Sequence, residues 1–222
     1  LKDGTIMEGK YQSGTLTGHG IVKFINGDHY SGQISGGKIE GEGRKYYSSG
    51  DYYQGGFMNN QHQGHGLYRT TKGYVAEGNW VNGQLQGRGK LTYPDLSTYV
   101  GDLKDGIPHG TGTITFSDES NYTGQWVDGK INGFGTAKYS NGQIYAGNFK
   151  NGKNHGKGKM TFGDGYIYEG LWSNGLFDGF GKAEYTDGSI YEGNFKEGKR
   201  HGSGKIKMTD GAIFEGNFEN GQ

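Results

Sequence analysis

Residues 145–167 read YAGNFKNGKNHGKGKMTFGDGYI, residues 168–190 read YEGLWSNGLFDGFGKAEYTDGSI, and residues 191–213 read YEGNFKEGKRHGSGKIKMTDGAI. Set under one another without a gap, the three lines share an aromatic first position, a glycine at positions 3, 8, 12, 14 and 21, and a bulky ring at position 5. Self-similarity at a fixed period is the mark of a repeat architecture, in which each unit buries its apolar face only against its neighbours. Carried outward with the same 23-residue step, the frame gives full repeats at 7–29, 30–52, 53–75, 76–98, 99–121, 122–144, 145–167, 168–190 and 191–213, with partial repeats at 1–6 and 214–222. No insertion or deletion is needed, so residues 1–222 read as one continuous array that begins and ends inside a repeat.

Position 3 is glycine in every copy from Gly9 to Gly216, and positions 12 and 14 are glycine in every full copy from Gly18 and Gly20 to Gly202 and Gly204. Position 5 is always bulky, from Tyr11 through Trp80, Trp126 and Trp172 to Phe218. This registered pattern resembles the MORN (membrane occupation and recognition nexus) repeat family, and the resemblance covers the whole chain. It implies a tandem β-hairpin fold. Some members of that family append the repeats to a lipid kinase or methyltransferase. Others consist of the repeats alone and act as cytoskeletal scaffolds, notably in apicomplexan and trypanosome parasites. The chain looks like the second kind, and among those like the apicomplexan basal-complex scaffold. The resemblance thus implies a cytoplasmic, cytoskeleton-associated homodimer, at or near a membrane periphery, whose partners are itself and cytoskeletal or membrane-skeleton proteins.

The residues independently predict strands. Alternation at positions 1, 3, 5 and at 12, 14, 16, 18 has period two, which gives two strands per repeat. Asn26-Gly27, Asn141-Gly142, Asp164-Gly165, Asp187-Gly188 and Asp210-Gly211 are hairpin turns. Keeping the aromatics of consecutive strands on one face requires a three-residue loop ending in a left-handed glycine there. The predicted class is therefore all-β: an elongated single-layer antiparallel solenoid, growing by about 9–10 Å per repeat to a length on the order of 90 Å. In this register the position-5 ring lies between two glycines, Trp172 between Gly181 and Gly156. On the opposite face Lys159 pairs with Glu169, Lys182 with Glu192 and Lys205 with Glu215. Leu96 and Glu119 stand where the turn glycine is missing, which suggests a bulge or bend near repeats four and five.

Composition narrows the function. Of 222 residues 48 are glycine and only 30% are hydrophobic, yet Tyr 17, Phe 11 and Trp 3 supply large rings. Cysteine is absent, which removes disulfides, thiol catalysis and thiolate zinc sites and fits a reducing compartment. The formal net charge is zero, so no global field draws the chain to nucleic acid or anionic lipid, and only weak binding to anionic liposomes is expected at physiological salt. No glycine motif completes a phosphate-binding loop, and no Ser, His and Asp set converges, so neither a cofactor nor catalysis is expected. His109, His155 and His201 recur in alternate repeats, about 19 Å apart by strand geometry and too far for one metal. His62 and His65, read as sharing a loop, would chelate only weakly. No metal site is assigned, although a zinc ion between chains, with Asp178 on the histidine rim, stays open.

Candidate binding residues fall in two sets. Tyr122, Trp126, Tyr145, Phe149, Tyr168, Trp172, Tyr191 and Phe195 form the aromatic face, where a partner could dock on a concave surface. Phe134, Leu171, Leu176, Phe177 and Phe180 put apolar side chains where other repeats mostly carry polar ones, and suggest a dimer or partner interface. A peripheral phospholipid-binding module, or a targeting module cut from an enzyme, is the alternative reading.

Overall fold

The computed structural model describes residues 4–222, so the part of the first partial repeat at residues 1–3 lies outside it. The chain divides into two compact units, residues 1–109 and 110–222. The strands of the first are β1 (Ile6–Gln12), β2 (Thr15–Lys23), β3 (His29–Ser35), β4 (Lys38–Tyr46), β5 (Tyr52–Met58), β6 (Gln61–Arg69), β7 (Val75–Val81), β8 (Gln84–Thr92) and β9 (Thr98–Lys104). Those that follow are β10 (Ile107–Thr115), β11 (Asn121–Val127), β12 (Lys130–Lys138), β13 (Ile144–Lys150), β14 (Lys153–Thr161), β15 (Ile167–Ser173), β16 (Leu176–Glu184), β17 (Ile190–Lys196), β18 (Lys199–Lys207) and β19 (Ile213–Phe218). Within each unit every strand pairs antiparallel with its neighbours in sequence, and no helix occurs among the described residues. The all-β, single-layer hairpin architecture is as the sequence predicts.

Two turns build each repeat. The first is a two-residue turn with both residues left-handed, as at Asn174 (φ 51°) and Gly175 (φ 90°). The amide of its second residue also donates to the preceding hairpin, Gly175 N–H to the Asn154 carbonyl at 2.9 Å and Gly198 N–H to the Phe177 carbonyl at 2.9 Å. These bonds staple successive repeats together. In the second turn Gly188 N–H donates to the Tyr185 carbonyl and Tyr185 N–H to the Ser189 carbonyl, both at 2.9 Å. Gly188 has φ +85°, which makes this the three-residue loop with a left-handed glycine that face parity demanded. Asp187 Oδ1 accepts from the Ser189 amide at 2.8 Å and fixes the loop.

Leu96 and Glu119 take the same left-handed place, at φ 71° and 67°, with the same hydrogen bonds across the turn. The missing glycine therefore introduces no bulge in these turns. It is tolerated as local strain. Leu96 is 77% exposed and loses nothing by truncation. Leu96→Gly is expected to raise stability by about 0.5–1 kcal/mol, the relief of left-handed strain less the added freedom of the unfolded chain. A midpoint of denaturation unchanged or lowered would count against this account of the turn.

The register departs from expectation at one place in each hairpin. In β15–β16, Trp172 pairs with Phe177, and the next pair is Gly170 with Gly181. One residue of β15, Leu171, thus opposes three of β16. The tight first turn forces Trp172 onto Phe177, and the extra residues are taken up around Gly179, whose φ is +101°. Trp172 does lie opposite Gly156 on its other side, as expected, but not opposite Gly181. What covers Gly181 is the ring of Tyr168: a β-carbon there would sit 2.5 Å from the Tyr168 Oη.

The core of the second unit is a file of rings on one face of the sheet. Tyr145 meets Phe149 edge-on at 4.9 Å and Trp172 at 5.1 Å, Tyr168 meets Trp172 at 5.3 Å and Phe195 at 5.0 Å, and Tyr191 meets Phe195 at 5.1 Å. Each tyrosine bridges the ring of its own repeat and that of the next. Such edge-to-face pairs add about 0.5–1.5 kcal/mol each beyond area burial. Each phenol also donates to the carbonyl three residues on, as Tyr168 to Leu171 at 2.8 Å and Tyr145 to Asn148 at 2.9 Å.

Candidate functional site

Opposite the ring face, facing glycines cross the second unit as a stripe: Gly147 pairs with Gly158, Gly158 with Gly170, Gly170 with Gly181, and Gly181 with Gly193. A β-carbon on any of them would point to the ring face, against Tyr145, Tyr168 or Tyr191, so on this side they present backbone alone and the stripe floors a furrow. One wall carries positions 4 and 13, the other positions 2 and 15. The furrow opens into a groove of about 630 Å³ lined by Phe134, Leu171 and Phe180, with Asn148 and Lys157 between them, on one side and Lys159, Glu169 and Lys182 on the other. It continues as a second hollow beside Glu192, Lys205 and Glu215.

The apolar wall is unusual for its position. Phe134 is 59% exposed, Phe180 54% and Leu171 37%. In the other repeats of the second unit position 4 is an amide, Gln125, Asn148, Asn194 or Asn217, and the first three of these serve the backbone around the irregular stretch. Gln125 Oε1 accepts from the Phe134 amide at 2.7 Å, and Asn148 and Asn194 each donate to the facing strand's carbonyl at 3.3 Å. Leu171 has no polar atom for this task and covers Gly179 instead. The framework gives up a hydrogen bond here and exposes apolar surface in its place.

The five nominated interface residues separate. Phe134, Leu171 and Phe180 share the groove. Leu176, half exposed, sits on the rim after the first turn, with Cδ2 4.0 Å from where a Gly198 β-carbon would stand. Phe177 belongs to the ring face: it stacks on Tyr168 at 3.8 Å and meets Trp172 at 4.7 Å. A sequence signal for it existed. Position 10 is polar only at His62, Asn154 and Arg200 among the nine full repeats, and Leu16, Ile39 and Leu85 in that position are buried in the core. The rings named as a concave binding face, Tyr122, Trp126, Tyr145, Phe149, Tyr168, Trp172, Tyr191 and Phe195, are all buried core residues. Desolvation pushes the phenols of Tyr122 and Tyr145 up to about 12, in keeping with their role as neutral donors.

The histidines also separate. His62 is in the ring face, stacked on Tyr53 at 3.6 Å with its Nε2 2.9 Å from the Tyr47 hydroxyl, while His65 lines the opposite furrow. They are three residues apart on one strand, hence on opposite faces, and share no metal. Burial lowers His62 to about 4. His109, His155 and His201 lie within β10, β14 and β18 rather than in loops, and are half-buried. Among the described residues no three His, Cys, Asp or Glu side chains group as a metal site.

The sequence profile of the MORN repeat matches residues 30–52, 53–73, 77–98, 99–120, 122–144, 145–165, 168–190 and 191–213. The chain belongs to the MORN repeat family. No curated protein sequence matches it. Among solved structures, the array is similar to the TCP10 domain of Danio rerio CPAP in complex with a peptide of Danio rerio STIL. That likeness has TM-score 0.52 at 17% identity and covers 96% of this chain and 99% of that one. The same domain without the peptide is similar with TM-score 0.50 at 14% identity, over 98% of each chain. At such identities the likeness is one of fold, an open antiparallel sheet of repeated hairpins.

Proposed function

We propose that this MORN array is a non-enzymatic scaffold that works by binding protein, that it is homodimeric, and that its interacting surface is the furrowed face of residues 110–222. The observation that carries the reading is the row of exposed apolar side chains, Phe134, Leu171 and Phe180, that rises along one wall of the furrow opposite the charged Lys159, Glu169 and Lys182. The MORN repeats support a binding role, and the CPAP domain of similar fold was solved holding a peptide. A cytoplasmic, cytoskeleton-associated place, such as a parasite basal complex, is proposed with it and rests on the scaffold type that the repeat pattern resembles. Zero net charge and the lateral Lys–Glu pairing favour protein partners over phospholipid or nucleic acid.

The test converts repeat eight to the residues of repeat nine. Leu171→Asn with Phe180→Ser places Asn and Ser where Asn194 and Ser203 stand, so the fold keeps framework side chains. Light scattering should give a dimer for the parent chain and a monomer for the variant, with the same circular dichroism. A variant that dimerises like its parent would move the interface off this face.

A further inference from the structure

Beside the glycine stripe, positions 2 and 15 of six consecutive strands alternate in sign: Lys159 on β14, Glu169 on β15, Lys182 on β16, Glu192 on β17, Lys205 on β18 and Glu215 on β19. Each neighbours the next across the sheet. Direct ion contacts within the chain are sparse along this line: Lys159 Nζ lies 4.0 Å from Glu169, and Lys182 turns along its own strand to Glu184 at 2.7 Å. The residues in the corresponding places of β2 to β5 are Ile21, Ser31, Arg44 and Gln54, with no such alternation. The ladder and two of the three apolar knobs, Leu171 and Phe180, therefore coincide in one part of the array.

A ladder that reads Lys, Glu, Lys, Glu, Lys, Glu is the complement of itself reversed. Resting on the homodimer reading, we propose that the occupant of this face is a second copy of the chain laid antiparallel, furrow to furrow, with the two-fold axis between β16 and β17. Lys182 then faces Glu192 of the second copy, Glu169 faces Lys205, and Lys159 faces Glu215, each contact occurring twice. All six places meet opposite charge. An axis one strand to either side matches only four. A copy running the same way must slip by a strand to find opposite charge, and a slipped contact does not close into a symmetric dimer. The axis also places Phe180 of the two copies one strand spacing apart, about 5 Å, with Leu171 one strand further out on each side. The backbone floor between the two walls gives these side chains room to seat. Phe134, on β12, lies outside this six-strand footprint.

Charge reversal tests the register. Lys182→Glu puts glutamate against Glu192 twice in its homodimer, and Glu192→Lys puts lysine against Lys182 twice. Mixed, the two variants restore opposite charge at both places. Each variant carries its own internal repulsion into either dimer, so preference for the mixed dimer reads the contact between copies alone. At low salt each single variant should dimerise on the order of tenfold more weakly than the parent, and the mixed dimer should recover most of that loss. Native mass spectrometry of the mixture should show the mixed species in excess of the statistical half. A parent dimer whose variants mix at random would overturn the register and leave the homodimer standing. A monomeric parent chain would overturn both.

Discussion

Replacing Gly181 with valine is expected to destabilise the second unit by about 3–5 kcal/mol. The reason is the ring beneath it. A β-carbon at this position would lie 2.5 Å from the Tyr168 Oη and 2.7 Å from its Cε2 and Cζ. Tyr168 has nowhere to retreat. Its hydroxyl donates to Leu171, Phe177 stacks on it at 3.8 Å, and Trp172 and Phe195 close its edges. Valine must therefore expel the ring or open the strand pair, and either breaks the file of rings between repeats eight and nine. Because stability in an array is a sum of repeat and interface terms, the loss should appear as earlier melting of the repeats around β16, followed by hydrogen exchange. Gly216 is the control. It has the repeat position of Gly170, yet no atom lies within 4 Å of where its β-carbon would be. Gly216→Ala should stay within about 0.5 kcal/mol of the parent chain. Equal costs at Gly181 and Gly216 would mean that glycine matters for backbone freedom alone and not for the ring it accommodates.

That contrast shows what the sequence could and could not convey. The period, the two strands per repeat, the left-handed three-residue turn at Gly188 and the lateral partners of Lys159, Lys182 and Lys205 were all legible. They follow from parity and turn chemistry, which are local. The partner of the glycines was not. Parity allows either ring of the repeat to lie over position 14, and only the tight turn at Asn174-Gly175 together with the extra residues around Gly179 decides for Tyr168. The candidate site suffered from reading apolar exceptions by neighbourhood instead of by face. Phe177 and Phe180 are three residues apart, so they point to opposite sides of the sheet. His62 and His65 divide between the two faces for the same reason. Leu171, by contrast, is identifiable because it departs from the amides that hold its position in the rest of the second unit, and the structure shows what Gln125 and Asn148 do there.

Trp172→Ala should cost about 3–5 kcal/mol as well, for a reason different from the one its spacing suggests. The ring is 4% exposed. It does not blanket glycines on both sides. It lies opposite Gly156 and Phe177, and its indole N–H donates across the repeat boundary to the Gly158 carbonyl at 3.0 Å. Its faces and edges meet Tyr145 of repeat seven and Tyr168 and Phe177 of repeat eight. Truncation therefore removes both buried area and the only indole bond at this boundary, and should uncouple the two repeats. The graded variant separates these effects. Trp172→Phe supplies the ring that Phe149 and Phe195 supply in adjacent repeats and loses chiefly the hydrogen bond, so a cost of about 1 kcal/mol is expected. Denaturant titration of the three proteins should show unfolding slopes that fall in the alanine variant as cooperativity breaks, and a preserved slope with a small midpoint shift in the phenylalanine variant. An alanine variant within about 1 kcal/mol of the parent would mean that the rings merely line the sheet. The lateral backbone bonds at Gly175 and Gly198 would then have to hold the repeats together.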